Sequence, residues 1–418
     1  MDAWVEVPLK RVFRIINGST PTSGEPAYWD GDINWATPED IGRNQGKCLT
    51  ETSRKITEEG YRSCGTSMVA KGSLVLTTRA PVGNIVIAGV PLCTNQGCKS
   101  LEPLDEEGAD SEYFYYLLAS KAADLNALAR GSTFVELGTD QLGAYKVPVP
   151  PTVVQHQIVE MLNSATSNLD ALIAEKQRLL NLLAEKRRAA IADFLTKGLN
   201  EDAPRRDSGI PWLGEIPAHW DMVRARFLFA ESNLPVRPDE QMVTCFRDGE
   251  VTLRSNRREE GFTNAVLELG YQGIRAGQLV LHSMDAFAGA IGVSDSDGKC
   301  SPEYVICDPM TDRTDSYYYA LLLREMALRN FIQASCPAVR ERAPRIRFNN
   351  FKDFLLPVPP LHEQRAIVAK AAEYLAPINA LHAKATSTVA LLQERRSALI
   401  SAAVTGKIEI RKRPYDPA

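Results

Sequence analysis

The sequence predicts an α/β (α+β) fold in tandem duplication: two mixed modules separated by two long helices that form an antiparallel coiled coil. Three observations predict it. A stretch of roughly fifty residues recurs at a constant offset of 209 in a chain of 418. Each copy is free of glycine and carries apolar residues at alternating spacings of three and four. The segment ahead of each copy mixes short β-rich runs with Tyr/Leu-rich stretches.

The repeat is clearest from Pro148-Val149-Pro150-Pro151, which recurs as Pro357-Val358-Pro359-Pro360. Gln155 then maps to Gln364, Leu182-Leu183 to Leu391-Leu392, and Thr196 to Thr405. Upstream the offsets drift, as loop insertions allow. Trp4-x-x-Val7 resembles Trp220-x-x-Val223, and Gly72-x-Leu74-Val75-Leu76 resembles Gly277-x-Leu279-Val280-Leu281. Tyr113-Phe114-Tyr115-x-Leu117-Leu118 resembles Tyr317-Tyr318-Tyr319-x-Leu321-Leu322. Strands are expected at Leu74–Thr77, Ile85–Ile87, Leu279–Leu281 and Glu303–Ile306, and helices over 111–129 and 315–333.

The recurring segments read as helices. Thr152 with Gln155 suits a capping box, and Pro360 suits a first helical turn. Gly198 and Gly406 look like stops. The apolar seam runs through Ile158, Leu162, Leu169, Leu172, Leu179 and Leu183, then Ile367, Tyr374, Ile378, Leu381, Leu392 and Leu399. Lys176, Lys186, Thr388 and Arg395 interrupt it, and Pro377 is expected to kink or split the second helix. A helix of about 46 residues is a rod of roughly 70 Å. The expected organisation is module one at 1–150, a central helix at 151–199, a linker at 200–219, module two at 220–359, a C-terminal helix at 360–410 and a tail at 411–418. Asp202, Pro204, Gly209, Pro211 and Gly214 give the linker an irregular look.

Composition narrows the function. The formal charge is −4, with 44% hydrophobic and 24% charged residues, as in an ordinary folded chain. No run of about 18 apolar residues suggests a membrane span. The first ten residues lack an apolar core, so a cytoplasmic address is expected. Eight cysteines form no C-x-x-C pair, so reduced thiols and no metal site are expected. There is no phosphate-binding G-x-x-x-x-G-K-[ST], no H-E-x-x-H and no serine-hydrolase elbow. Pro38-Glu39-Asp40 reads as a turn opening a short helix rather than a nuclease carboxylate cluster. Nothing in the sequence requires catalysis, so the chain is expected not to be an enzyme.

Tandem variable modules, each followed by a long helix opening Pro-Pro-x-x-Glu-Gln, resemble the DNA-specificity subunit of type I restriction-modification systems. Pro359-Pro360-Leu361-His362-Glu363-Gln364 is an intact copy; Pro150-Pro151-Thr152-Val153-Val154-Gln155 departs at Val154. Trp35–Ile41, Thr78–Gly83, Gly131–Phe134 and Gly209–Trp220 are similar to further family stretches. The resemblance implies two target-recognition domains, each reading one half of a split, asymmetric double-stranded DNA site. It implies that the helices set the spacer and dock two methyltransferase subunits. Restriction/translocase subunits join that core in phage defence. S-adenosylmethionine, ATP and Mg belong to the partners, so this chain needs no cofactor of its own.

DNA binding must then come from local patches. Residues 1–150 hold 14 basic and 19 acidic residues, and 201–359 hold 19 and 23. In the second segment 17 of the 19 basic residues are Arg, whose fork fits a guanine edge or a phosphate. The candidates are Arg254, Arg257 and Arg258, and Arg340, Arg342, Arg345 and Arg347. In module one they are Thr78, Arg79, Asn95, Gln96, Arg130, Ser132 and Thr133. Each Arg can equally pair with nearby Asp and Glu on a solvated surface. The alternative function is a coiled-coil adaptor with two protein- or peptide-binding modules.

Overall fold

A computed structural model describes residues 4–44, 46–105, 107–129, 136–257, 269–335 and 345–408. The chain divides into two units, Met1–Gln177 with Ser387–Ala418, and Arg178–Thr386. The cuts fall 209 residues apart, at sister positions of the two long helices, so each unit amounts to one repeat.

Unit one is built on a five-stranded sheet in the order Phe13–Asn17, Cys98–Pro103, Leu74–Thr77, Ile85–Ala88, Cys48–Leu49. The central Leu74–Thr77 strand is buried on both faces, which is why it reads as an unbroken apolar run. Its alternation decides the two cores. Leu74 and Leu76 pack with Phe114, Leu117 and Leu118 of the helix Ser111–Ser120. Val75 faces the opposite cluster with Ala36, Ile41 and Val86. The strand Lys146–Val149 pairs antiparallel with Val5–Pro8 and leads directly into the long helix Thr152–Lys197.

Unit two repeats the plan. Its four-stranded sheet runs Phe229–Glu231, Tyr304–Pro309, Leu279–His282, Ile291–Val293. Leu279 and Leu281 pack with Tyr318 and Leu322 of the helix Ser316–Leu328, and Val280 faces Val243 and Ile274. Leu355–Val358 pairs with Asp221–Arg224 and leads into the long helix Leu361–Val404. In each unit the start of one long helix shares the core with the end of the other, the pairing antiparallel helices give. Ile158 and Leu162 lie with Ile400 and Val404, and Ile191 and Leu195 lie with Ile367 and Leu375.

One glutamine per unit fixes the helix to its module. Gln155 and Gln364 are fully buried. Gln155 Oε1 accepts from the Asp110 backbone N–H at 2.9 Å, and Nε2 donates to the carbonyls of Gly108 at 3.2 Å and Pro150 at 2.9 Å. Gln364 Oε1 accepts from Asp315 N–H at 2.9 Å, and Nε2 donates to Arg313 and Pro359 carbonyls, both at 2.8 Å. Asp110 and Asp315 in turn cap the helices Ser111–Ser120 and Ser316–Leu328.

Several sequence expectations need correction. Gln155 is occupied by this clamp, so the capping box with Thr152 does not form; the Thr152 hydroxyl donates instead to the Glu107 carbonyl at 3.0 Å. Pro360 precedes the helix rather than entering it, and its carbonyl accepts the first helical bonds, as that of Pro151 does. The Tyr-rich helices align at an offset of 205, one residue from the offset their Tyr runs suggest, because the capping Asp sets the register. Pro377 does not split its helix; it sits on the exposed side, where water can take the place of its missing donor. The stretch 200–219 is irregular only in part. Arg205–Asp207 pairs with Glu215–Pro217, and Leu213, Ile216 and Trp220 are buried. The seam also drifts. Leu172 and its sister Leu381 are exposed, and burial toward the helix ends falls on Ile191 and Ile400, one place past the spacing. A helix of 3.6 residues per turn rotates away from a 3.5-residue stripe. Gly198 and Gly406 do end the helices, with φ of 70° and 71°. A Cβ there would press on Trp220 in unit two and on Trp4 in unit one.

Replacing Gln364 with Ala removes the partner of one N–H and two carbonyls, of which the Pro359 carbonyl is buried; at about 1–3 kcal/mol for a buried group left unsatisfied, unit two should lose about 1–3 kcal/mol. Urea unfolding of wild type and Gln364→Ala checks this, and an unchanged midpoint contradicts the clamp.

Candidate functional site

The central strand of each sheet ends at a small hydroxyl residue that gathers the neighbouring loops. In unit one Thr78 is buried; its N–H donates to the Gly97 carbonyl at 2.8 Å and its hydroxyl to the same oxygen at 3.2 Å. Its carbonyl accepts from Leu137 N–H at 2.9 Å. In unit two Ser283 N–H donates to the Glu303 carbonyl at 2.7 Å, and Ile346 N–H donates to the Ser283 carbonyl at 2.9 Å. Two loops of unrelated sequence are thus pinned by the same bonds to the same strand end.

The unit-one edge brings four sequence candidates together. Asn95 Oδ1 accepts from Gly97 N–H at 2.9 Å and shapes the turn. Gly97 lies so close to the Pro38 ring that a Cβ would sit 2.9 Å from it. Gln96 is exposed and takes a hydrogen bond from the Thr20 hydroxyl. Arg79 Nε donates to Glu136 Oε2 at 3.0 Å, with the guanidinium side chain still 44% exposed. Thr78 presents no group outward, so its part is to hold the turn rather than to touch a ligand. Beneath them lies Lys99, which sequence reasoning passed over. Its Nζ donates to Asn17 Oδ1 at 2.8 Å, and the same oxygen accepts from Thr139 at 2.9 Å. Burial lowers the Lys99 pKa; Glu136 works against that and Arg79 adds to it. A buried lysine in a sheet strand leaves no trace in hydropathy beyond an interrupted apolar run.

The unit-two edge holds Arg345 and Arg347. Arg345 Nη1 donates to Glu303 Oε1 at 2.9 Å, while the Ser283 hydroxyl donates to Oε2 at 2.5 Å. The Ser283 bond, against burial and with help from Arg345, holds the Glu303 carboxyl below its ordinary value. Alongside opens a cleft of about 590 Å³, lined by Asn233, Tyr271, Gln272, Arg347, Phe348 and Asn349 among others. Arg347 is exposed there and forms no ion pair among the described residues. Ser283 and Glu303 escaped the sequence reading, although carrying the Gly-x-Leu-Val-Leu repeat two residues further reaches Thr78 in one copy and Ser283 in the other.

Arg254 and Arg257 stand on a different part of unit two, at the hairpin of Val243–Cys245 and Val251–Leu253. Arg257 is held by Asp248 at 2.7 Å and Glu250 at 3.0 Å, over the Phe246 ring. Arg254 donates to the Thr244 hydroxyl at 3.3 Å. Arg130, Ser132, Thr133, Arg258, Arg340 and Arg342 lie outside the described residues. Pro38–Arg43 is a short helix with Thr37 as its cap. Burial of Asp40 is outweighed by hydrogen bonds from Ser53 and Thr37, so its pKa is lowered; that carboxylate is structural.

Next to Ser283, His282 accepts at Nδ1 from Asp285 N–H at 3.0 Å, with its ring 4.8 Å from that of Tyr304. Burial lowers its pKa, with Asp285 and Glu303 opposing. A depressed pKa means stability that is present above the ordinary value of about 6.5 and is lost as pH falls through the folded value. Between pH 8 and 5.5 the melting temperature should fall further for wild type than for His282→Asn, whose amide oxygen can accept at any pH. Equal falls contradict this.

Residues 1–182 match the family model described as the type I restriction modification DNA specificity domain. The type I restriction enzyme MjaIX specificity subunit of Methanocaldococcus jannaschii is 36% identical over 42% of this chain and 40% of its own length. The EcoR124I/EcoR124II specificity subunit of Escherichia coli is 28% identical over 38% of this chain and 42% of its own. These matches therefore span about two fifths of those relatives. The EcoBI specificity subunit of Escherichia coli is 21% identical over 100% of this chain and 88% of its own. A solved chain from work on complex assembly and conformational transition of the type I R-M system has a TM-score of 0.68 at 17% identity. It covers 98% of this chain and 99% of that one, and shows a shared fold.

Proposed function

We propose that the chain, whose residues 1–182 match the DNA-specificity family of type I restriction-modification systems, is the non-catalytic DNA-reading subunit of such a complex. Each module reads one half of a split, asymmetric site. The observation that carries this reading is the pair of edges. Thr78 and Ser283 pin different loops to the same strand end, and each edge offers arginine at its rim. A common scaffold with exchangeable loops is what two readers of different sequences need, since base readout lives in side chains while position comes from the backbone. The family match stands against the adaptor alternative.

The long helices set the spacer and dock two methyltransferase subunits. Restriction/translocase subunits complete the assembly. S-adenosylmethionine, ATP and Mg serve the partners, and the complex works in the cytoplasm against invading DNA. Among the described residues no helix is long and apolar enough to cross a membrane.

In the assembled complex, Arg79→Ala and Arg347→Ala should each weaken cognate DNA binding by about 1–3 kcal/mol if the lost contact is a bidentate base contact. A phosphate contact would instead lower the salt slope by about one and spare specificity. Filter binding across a salt series separates these, and cognate affinity unchanged in both variants contradicts the placement of the edges. Removing one heptad from each of 158–190 and 367–399 should change the preferred spacer and leave the half-sites alone. Sequencing of bound DNA reads this, and altered half-sites contradict it.

A further inference from the structure

The repeat makes the two units a controlled comparison, and they differ sharply at one place. In unit one the space between the helix Ser111–Ser120 and the first long helix is filled by a polar network. Lys47 Nζ donates to Glu112 Oε2 at 2.7 Å and also to Asn163 Oδ1. Asn163 Nδ2 donates to Glu112 at 3.0 Å, and the Tyr116 hydroxyl donates to Asn163 at 2.8 Å. Beside it Arg396 Nε donates to Asp170 Oδ1 at 2.7 Å.

The offsets of 209 in the long helices and 205 in the capped helices identify the sisters in unit two. Asn163 becomes Ala372, Glu112 becomes Tyr317 and Tyr116 becomes Leu321. Leu49 pairs in parallel with Ala88, and Val251 with Ser294, which puts Gly249 in the place of Lys47. The network is gone, and a groove of about 530 Å³ opens over Leu321, Ala371, Ala372 and Leu375.

Charge changed unequally. Arg396 has the sister Arg187, but Asp170 has the sister Asn379, and both line the groove. Arg187 therefore keeps its guanidinium without the carboxylate, and has no hydrogen bond or ion pair among the described residues. Arg324 lines the same groove, half-buried, with Nε on the Gly289 carbonyl and Nη2 on that of Arg247, both at 3.2 Å. Burial and the Arg187 charge lower its pKa, while Asp248 and Glu325 oppose this. Three carboxylates, Asp248, Glu250 and Asp295, also line the groove, and each has a partner besides Arg187 and Arg324. Asp248 and Glu250 bind Arg257, Glu325 binds Arg329, and Asp295 at the rim accepts from Ser296.

We propose that this groove of unit two binds a small amphipathic carboxylate, its acid group on Arg187 and Arg324 and its aliphatic body over Leu321, Ala372 and Leu375. A concave, largely apolar lining with a few placed polar groups, within the usual range of about 300–1,000 Å³, is the character of a small-ligand site. In unit one Asp170 neutralises the sister arginine, and the Lys47, Glu112 and Asn163 network occupies the corresponding place.

The test is calorimetric titration of the full chain with octanoate, with 1-octanol as the probe lacking the charge. Octanoate should bind saturably at one site, and 1-octanol roughly tenfold or more weakly, as loss of charged hydrogen bonds implies. Asn379→Asp rebuilds the ion pair of unit one on an exposed position, and should weaken octanoate binding by a similar factor without changing the melting temperature. Arg187→Gln should do the same. Absence of saturation, equal binding of 1-octanol, or wild-type affinity in Asn379→Asp overturns the proposal. A carboxylate accepted only when carried on a protein partner would show as absence of saturation, and counts against it.

Discussion

Everything in each unit hangs on one buried amide. Gln155 and Gln364 each satisfy an N–H at the start of a module helix and two carbonyls, one of them at the entry to the long helix. A primary amide has the two donors and the acceptor to do this at once. Removing it would leave three backbone groups without that partner, and the carbonyl at the entry to the long helix is buried, where an unmade bond is costly. The clamp therefore sets the direction in which each long helix leaves its module. The capping aspartates Asp110 and Asp315 extend the same constraint into the sheet-covering helix. The strand end carrying Thr78 or Ser283 lies on the sheet that this helix covers.

Around that shared frame the units have diverged in two ways. At the loop edge the backbone bonds are kept while side chains change, so that Arg79–Glu136 in one unit answers to Arg345–Glu303 in the other with the charges on different elements. Behind the module helix the reverse holds. Unit one ties helix to helix with Lys47, Glu112 and Asn163, whereas unit two places small and aliphatic residues there and leaves an arginine uncompensated. The first divergence suits reading two different sequences. The second leaves Arg187 of unit two beside Asn379, where its sister Arg396 faces Asp170.

The architecture was legible because burial writes periodicity into sequence. The 209-residue offset, the glycine stops and the apolar strand Leu74–Thr77 all survive as pattern. What misled was local. Thr152 and Gln155 have capping-box spacing, but a buried glutamine finds better partners in the module, and spacing alone does not reveal them. The stretch 200–219 is rich in turn residues, yet Leu213, Ile216 and Trp220 anchor it as a hairpin in the core. The site was only half legible. Arg79, Asn95 and Gln96 do meet on one edge, but residue type could not tell Arg257, engaged by two carboxylates, from Arg347, which lines a cleft. Nor could it find Lys99 or Ser283, whose roles come from where the sheet puts them.

The central claim is that two equivalent edges read two halves of one DNA site. Mapping methylated bases at single-base resolution in a host carrying this chain with the proposed methyltransferase partner tests it most directly. The expected result is one split, asymmetric motif with a fixed unread spacer, lost when the gene for this chain is deleted. A continuous palindromic motif, or a methylation pattern unchanged by the deletion, would contradict it.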